Sequence, residues 1–245
     1  MIDKNSPLPI YYQIQEWIRK KMDDGEWEPG DMLPSERIFA EQFNISRMTV
    51  RQAITELVNE GLLRREKGKG TFVAEKKLEQ PLQGLTSFTE DMKARGFQPG
   101  NKLYEFRVTP PSRDVADALN MKKTDSVYEL ERVRLADNKP MALEMTSIHA
   151  GVVTNLSKDI AQSSLYNYIE QTLGLTIGHA SQTLESALAG EKEAELLQIE
   201  AGDPILWISR KTHLQDGTPF EYVRSAYRGD RYKFSIHLPR STRRH

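Results

Sequence analysis

The sequence predicts an α+β protein in two parts, an N-terminal winged helix-turn-helix followed by a larger domain built on a mainly antiparallel sheet with helices packed against it. Three observations carry that expectation. Residues 35–73 hold two short helical patterns, a four-residue break (Phe43-Asn44-Ile45-Ser46) and then two alternating runs around Lys67-Gly68-Lys69-Gly70. Beyond residue 86, strand-like runs dominate, several of them joined by hairpin turn pairs. At 245 residues the chain is long enough to bury two cores.

Pro7 and Pro9 precede a helix expected from Ile10 to Asp24, with Ile10, Ile14, Trp17 or Ile18, and Met22 as its apolar stripe and Gly25 at its end. Ser35 suits the N-cap of a second helix carrying Ile38, Phe39 and Phe43, and Asn44 suits the left-handed residue that stops it. Ser46 then caps a third helix whose Val50, Ala53 or Ile54, Leu57 and Val58 recur at helical spacing, with Gly61 closing it. The polar face at its start carries Arg47, Thr49, Arg51 and Gln52, the positions from which such a helix reaches base edges in the major groove. Arginine is the side chain best matched to guanine O6 and N7. In the hairpin that follows, Gly68 and Gly70 allow a tight turn with close backbone approach, and Lys67 and Lys69 stand where a phosphate backbone would pass. The alternative is a helical hairpin with ordinary surface charge.

Net charge is −1, so bulk electrostatics do not announce a nucleic-acid binder. Position is more informative. From Asn44 to Lys77 eight Lys/Arg face four acids, whereas from Met1 to Phe43 five face nine, so a locally basic surface adjoins an acidic one in sequence. There are no cysteines, which removes disulfides and thiolate metal sites. The N-terminal stretch lacks a signal-peptide pattern and no apolar run reaches membrane-spanning length; the expectation is a soluble cytoplasmic chain with no membrane partner.

The expected organisation is residues 1–75 as the winged helix-turn-helix, 76–85 as a linker or an exchanged extended segment, and 86–245 as a ligand-reading, dimerising domain. Ser87-Phe88-Thr89-Glu90 is a capping box. Strand-like runs begin at Leu103, Val127, Met141, Ile205, Thr218 and Tyr232, with helices near 112–119, 164–173 and 190–198 between them. A weak internal repeat, L-x-D-x-x-P at Leu135–Pro140 and Leu214–Pro219, places Asp137-Asn138 and Asp216-Gly217 at hairpin turns. Two such hairpins suggest a pseudo-symmetric domain with a cleft between its halves.

Polar residues on otherwise apolar strands mark a candidate ligand site. Arg132 and Arg134 share a face; a three-residue loop at Asp137 would place Glu144 opposite Arg132, a two-residue loop on the other face. Glu221, Val223, Ser225 and Tyr227 share a face on a second strand. Two arginines with the hydroxyl-bearing helix starts at Ser87, Thr89, Ser163 and Ser164 suit a phosphate, leaving Glu144 and Glu221 to accept from hydroxyl or amino groups. The alternative is a cross-strand surface salt bridge and ordinary helix caps. No catalytic residue and no metal ligand is assigned: the five histidines have no ligand spacing, and nucleophile and phosphate-loop motifs are missing.

The segments PIYYQI, LPSER, ISRMTVRQAI, LVNEGLL and GKGTFV resemble, in order and spacing, the DNA-binding domain of the GntR family of bacterial regulators. QGLTSFTEDM, RVRLA, the SSLY helix and YRGDRY resemble the HutC-type effector domain of that family, the UTRA domain, whose fold is similar to chorismate lyase. The resemblance implies a non-enzymatic transcriptional regulator, a homodimer on double-stranded operator DNA with two-fold symmetry. It implies a repressor of amino-sugar (N-acetylglucosamine) utilisation genes, controlled by glucosamine 6-phosphate or N-acetylglucosamine 6-phosphate, with no cofactor. It assigns Arg37 and Arg47 to operator guanines and Gly68 to the minor groove; Phe88, Thr89, Arg132, Arg134, Ser164 and Tyr166 to the phosphate; and Glu144, Glu221 and Tyr227 to the sugar. The rivals are a HutC-type regulator reading another small ligand and a chorismate-lyase-like enzyme fused to a DNA-binding head.

Overall fold

The structure is a computed structural model and describes residues 2–66, 68–75 and 77–238; Lys67, Lys76 of the expected linker, and residues 239–245 lie outside the described residues. The chain divides into two units, Met1–Leu78 and Glu79–His245.

In the first unit, α1 (Ile10–Asp23), α2 (Glu36–Phe43) and α3 (Arg47–Asn59) are followed by the antiparallel pair β1 (Leu63–Glu66) and β2 (Gly70–Val73). The predicted caps are the observed ones. Ser35 Oγ accepts from Ile38 N, Ser46 Oγ accepts from Thr49 N at 3.1 Å, and Asn44 takes the left-handed conformation with φ 51°. The left-handed φ of Gly68, +77°, is what turns the wing between its strands. Ile14, Ile18, Phe39, Val50, Ile54 and Leu57 are buried together, and full burial of each such side chain stabilises the fold by roughly 1.5–3 kcal/mol. Trp17 meets Trp27, Phe39 and Phe43 edge-on at 5.5, 6.0 and 5.1 Å, so both tryptophans serve the core. Ile38 does not: it is exposed, and Phe39 with Ala40 forms the inward face of α2.

The second unit begins with β3 (Leu78–Pro81) and α4 (Phe88–Ala94), the latter opened by the predicted capping box of Ser87 and Glu90. Then come β4 (Pro99–Thr109), α5 (Arg113–Leu119), β5 (Val127–Ala136) and β6 (Lys139–His149). After α6 (Lys158–Ala161), α7 (Leu165–Asn167) and a π-helical turn (Tyr168–Thr172), the same order returns as β7 (Ile177–Leu188), α8 (Glu191–Leu197), β8 (Pro204–Leu214) and β9 (Pro219–Arg228), and β10 (Tyr232–Ser235) ends the unit. The six long strands form one antiparallel sheet in the order β4-β5-β6-β9-β8-β7. Two β-α-β-β repeats therefore meet at the β6–β9 seam, which is the pseudo-symmetry that the paired L-x-D-x-x-P motifs suggested. On one face α5 packs against β9 and α8 against β6. On the other, α6, α7 and the π-helical turn bury Leu156, Ala161, Leu165 and Ile169 against Leu130, Ile148 and Phe220.

The two hairpins reach their register differently. Asp137 and Asn138, with φ 47° and 63°, form a two-residue turn between Ala136 and Lys139. A register shift after Arg134 leaves Met141 as the extra residue, and this bulge places Arg132 opposite Glu144. The second hairpin closes through Leu214 N to Thr218 O at 2.9 Å, a three-residue loop with Gly217 at φ +89°.

Two features depart from the expected layout. Of the two readings of residues 76–85, a linker or an exchanged extended segment, residues 79–83 are extended but pair within the chain: β3 pairs with β10, Leu82 N donates to Ser235 O at 2.8 Å, and Gln83 Nε2 donates to His237 O at 2.7 Å. The partner of this strand lies about 150 residues away in sequence, so local composition cannot reveal it. Edge strand β7 also escaped the pattern reading, because its run IGHASQTLESAL is mostly small and polar. Among the described residues no helix is long and apolar enough to cross a membrane.

Candidate functional site

In the first unit the start of α3 is exposed. Arg47, in the first turn of α3, is exposed, and no acid pairs with it among the described residues. Thr49 Oγ1 stands 2.9 Å from Ser46 Oγ, and Gln52 Nε2 donates to Glu56 Oε1 at 3.3 Å. Arg51 Nε donates to Glu36 Oε2 at 2.9 Å, and Arg65 reaches the other oxygen of Glu36 at 3.3 Å, so Glu36 offsets part of this basic face. Arg37 on α2 is exposed and pairs with Glu41 at 3.3 Å. In the wing, Gly68 and Gly70 are exposed and Lys69 pairs with Glu66 at 3.1 Å; the predicted contact Lys67 lies outside the described residues. Exposed ion pairs of this kind contribute little, about 0–1 kcal/mol, and yield readily to phosphate. Sequence reasoning missed Met48, exposed beside Arg47, whose apolar side chain suits contact with a thymine methyl.

The second unit holds a cleft of about 630 Å³, counted out to its mouth. All nine predicted ligand residues line it: Phe88, Thr89, Arg132, Arg134, Glu144, Ser164, Tyr166, Glu221 and Tyr227. The register explains why. Arg132 pairs with Glu144 and Glu144 with Ser225, so the three form one row across β5, β6 and β9, pointing to the same face. A second row runs Arg134, Ala142, Tyr227, and Thr212 on β8 pairs with Glu221. The floor is thus a buried polar surface, contrary to the surface salt bridge that spacing alone also allowed: Arg132, Arg134, Glu221 and Ser225 are 4–5% exposed.

Three charged residues of the floor are tied to three different covering segments. Arg132 donates from Nε to Glu144 Oε1 at 2.6 Å and from Nη1 to Ala161 O at the end of α6 at 2.9 Å. Arg134 donates from Nη2 to Thr89 Oγ1 on α4 at 3.1 Å, and its guanidinium lies 4.7 Å from the Phe88 ring centroid. Glu221 Oε2 accepts from Tyr166 OH on α7 at 3.0 Å and from Thr212 Oγ1 at 2.8 Å. Ser164, at the start of α7, makes no side-chain cap, so its hydroxyl is not used by the helix.

The electrostatics are uneven along the cleft. Burial would raise the Glu144 carboxyl, but the Arg132 and Arg134 guanidinium groups outweigh it and hold the group at about 2. Arg134 is in the opposite position. Burial and the adjacent Arg132 charge lower it to about 10 against the opposing Glu144 charge; among the described residues it forms no salt bridge, and its buried Nε has no hydrogen bond. Burial also pushes Glu221 up, with the Glu144 charge adding to the effect and the Thr212 hydrogen bond opposing it. Tyr227 is pushed up to about 12 by burial, so its hydroxyl stays protonated and able to donate. The Arg134 end of the cleft is therefore suited to an anion, while Glu221 farther along is already held by the Tyr166 and Thr212 hydroxyls.

Sequence reasoning missed Gln80, Thr86 and Arg210 at this site. Gln80 and Thr86 belong to the segment read as a linker or next to it. Arg210 lies in ILWISRKTHL, where polar residues occupy both faces and alternation selects none of them.

An exposed helix-turn-helix with a wing, joined in one chain to a second domain with a buried polar cleft, has the architecture of a DNA-binding transcriptional regulator. The family model for bacterial regulatory proteins of the gntR family matches residues 10–73, and that for the UTRA domain matches 94–233. The chain belongs to the GntR family, with a HutC-type effector domain. It is 49% identical over 239 residues to the HTH-type transcriptional repressor NagR of Bacillus subtilis (strain 168), covering 98% of each protein. It is 34% identical over 236 residues to the mannosyl-D-glycerate transport/metabolism system repressor MngR of Escherichia coli (strain K12), covering 96% of this chain and 98% of that protein. Among solved structures it is similar to PhnF of Mycobacterium smegmatis, with 32% identity and a TM-score of 0.63 over 93% of this chain and 100% of that one. These relatives are regulators, not enzymes.

Proposed function

We propose that this chain is a repressor of amino-sugar utilisation genes. On this reading it binds a two-fold-symmetric operator as a cytoplasmic homodimer, and glucosamine 6-phosphate or N-acetylglucosamine 6-phosphate in the second unit sets its operator affinity. The observation that carries the ligand class is Arg134. A buried guanidinium with an unused Nε, no salt bridge among the described residues and a second arginine beside it suits an incoming dianion. Glu221 and Tyr227, farther along the same floor, suit the hydroxyl and amino groups of a sugar.

The control would run through the covering segments. A ligand phosphate competing for Arg134 and Thr89 changes how α4 is held, and α4 is preceded directly by the 79–86 strap, the first residues after the DNA-binding unit. Linkage then fixes the sign relation: whatever factor the ligand applies to operator affinity, operator applies to ligand affinity.

MngR, named for mannosyl-D-glycerate, supports a second reading in which the anion is a carboxylate. A thermal-shift screen of sugar phosphates and sugar acids, followed by operator binding with and without the best hit, separates the two. Stabilisation by an amino-sugar 6-phosphate with a change in operator affinity is the expected result. Stronger stabilisation by a ligand lacking phosphate would replace it.

A further inference from the structure

Glu36 stands in the first turn of α2, and each of its carboxylate oxygens accepts from an arginine on a different element. Arg51 Nε on α3 donates to Oε2 at 2.9 Å, and Arg65 Nη2 on β1 donates to Oε1 at 3.3 Å. The same Arg65 Nη2 reaches Thr55 Oγ1 at 3.1 Å, and that hydroxyl donates to Arg51 O at 2.7 Å. One carboxylate thus ties α2 and α3 to the base of the wing. Glu36 is also the more sheltered partner, its side chain 24% exposed against 55% for Arg51 and 40% for Arg65. Met48, Thr49, Arg51, Gln52, Thr55 and Glu56 line one shallow depression on α3, so the network borders the surface expected to meet DNA. Glu56, the other acid there, is bonded to Gln15 and Gln52 rather than to an arginine.

A guanidinium is planar and rigid, so holding Nε fixes the direction of the edge formed by Nη1 and Nη2. That edge of Arg51 takes no part in the network, and it can fork to a guanine or a phosphate. Glu36 therefore acts in two ways. It presets the Arg51 fork, which lowers the ordering cost of a contact made in that one direction. It also sets one negative charge between two positive ones, which opposes a phosphate approaching from any other side. A duplex with matching contacts gains from the first effect. An unrelated duplex, held by phosphate attraction alone, meets only the second. A lone exposed pair would count for little, but a carboxylate shared by two guanidinium groups and joined to a hydroxyl is a network.

We propose that Glu36 is a specificity-determining residue of the DNA-binding unit that acts through Arg51 and Arg65 rather than by touching a base. It aligns the two arginines for the operator and weakens their hold on DNA at large. An acid on a DNA-binding face thus raises the ratio of operator to unrelated binding at the expense of total affinity.

The test is fluorescence anisotropy of the full chain on a duplex selected from a random DNA pool and on an unrelated duplex of equal length, at several salt concentrations. Glu36→Gln should bind the unrelated duplex about two- to fivefold more tightly, with a salt slope steeper by about 1. The selected duplex should gain less, so the ratio of the two affinities narrows. In an Arg51→Gln/Arg65→Gln background the same substitution should leave that ratio and the slope unchanged. Glu36→Asp keeps the charge in the first turn of α2 but falls short of bridging both arginines; its ratio should narrow with the slope near that of wild type. Should the glutamine variant misfold, the aspartate variant decides alone, and a wild-type ratio there overturns the proposal. Equal changes on both duplexes would leave Glu36 as net charge only and overturn it. So would an effect that persists in the background lacking both arginines, or unchanged binding by Glu36→Gln.

Discussion

Arg132 Nε and Glu144 Oε1 stand 2.6 Å apart on adjacent strands whose connecting turn is only two residues long. That turn alone would put Glu144 on the opposite face of the sheet. The bulge at Met141 reverses the parity, so a single inserted residue determines whether the cleft has its carboxylate.

Deleting Met141 should therefore remove the cleft rather than merely loosen a strand. Side chains C-terminal to the bulge on β6 would change face, sending Glu144 toward the apolar cluster of Val133, Leu143 and Ala226. Separating a buried pair in this way costs roughly 3–5 kcal/mol. Urea unfolding followed by circular dichroism should show that loss, together with loss of ligand-induced stabilisation; a deletion variant with the wild-type midpoint would contradict the register argument.

The two buried glutamates should act on stability in opposite senses as pH changes. Glu144 is held at about 2 against an ordinary 4.5, so its contribution is fully present above 4.5 and is lost as pH falls toward 2. Glu221 is raised above 4.5, so folding favours its protonated form, and that contribution is lost as pH rises through its folded value. Calorimetric melting of Glu144→Gln should show a shallower decline than wild type between pH 5 and about 3. Glu221→Gln should gain on wild type as pH increases from about 4 to 8. Parallel profiles for both variants would mean that neither group is perturbed in the folded protein.

Much of this was legible in the sequence where local chemistry decides. Ser35, Asn44 and Ser46 sit where their types predict, because a cap is settled within about four residues of its own position. Arg132 and Arg134 stood out because β5 is otherwise apolar along the face they share. The bulge at Met141 and the β3–β10 pairing were not legible, since both are settled by partners distant in sequence or by the register of the whole sheet. Ile38 looked like a core residue from its type alone, yet the inward stripe of so short a helix is set by which turn meets α3. Arg210 was invisible for a different reason: polar residues occupy both faces of β8, so alternation does not single it out.

On the DNA side, base reading and phosphate attraction should separate. Arg47→Ala should cost roughly 1–3 kcal/mol of operator binding and relax preference at one base. Lys69→Ala, in the wing, should weaken binding to all sequences alike and lower the salt slope by about 1. Selection from a random DNA pool supplies the operator, and fluorescence anisotropy at several salt concentrations reads both effects. If Arg47→Ala lost equally on operator and on unrelated DNA, the arginine would be a phosphate contact.

Arg134 is where the effector reading is most exposed to test. Its guanidinium is buried beside Arg132, stacked on Phe88 and bonded to Thr89, with Nε unpaired. Without ligand, burial and the neighbouring Arg132 cation oppose the charge and the Glu144 carboxylate offsets only part of that. Arg134→Met should therefore be tolerated by the fold, and even stabilise the ligand-free second unit slightly, while abolishing stabilisation by glucosamine 6-phosphate. A loss of about 1.5–3 kcal/mol of ligand binding is expected for removing a charge-assisted hydrogen bond. Operator binding of Arg134→Met should no longer respond to the sugar phosphate. Thermal shift and anisotropy on the same samples decide it: a variant destabilised without ligand, yet still stabilised by the sugar phosphate as wild type is, would mean that Arg134 supports the fold and the anion binds elsewhere.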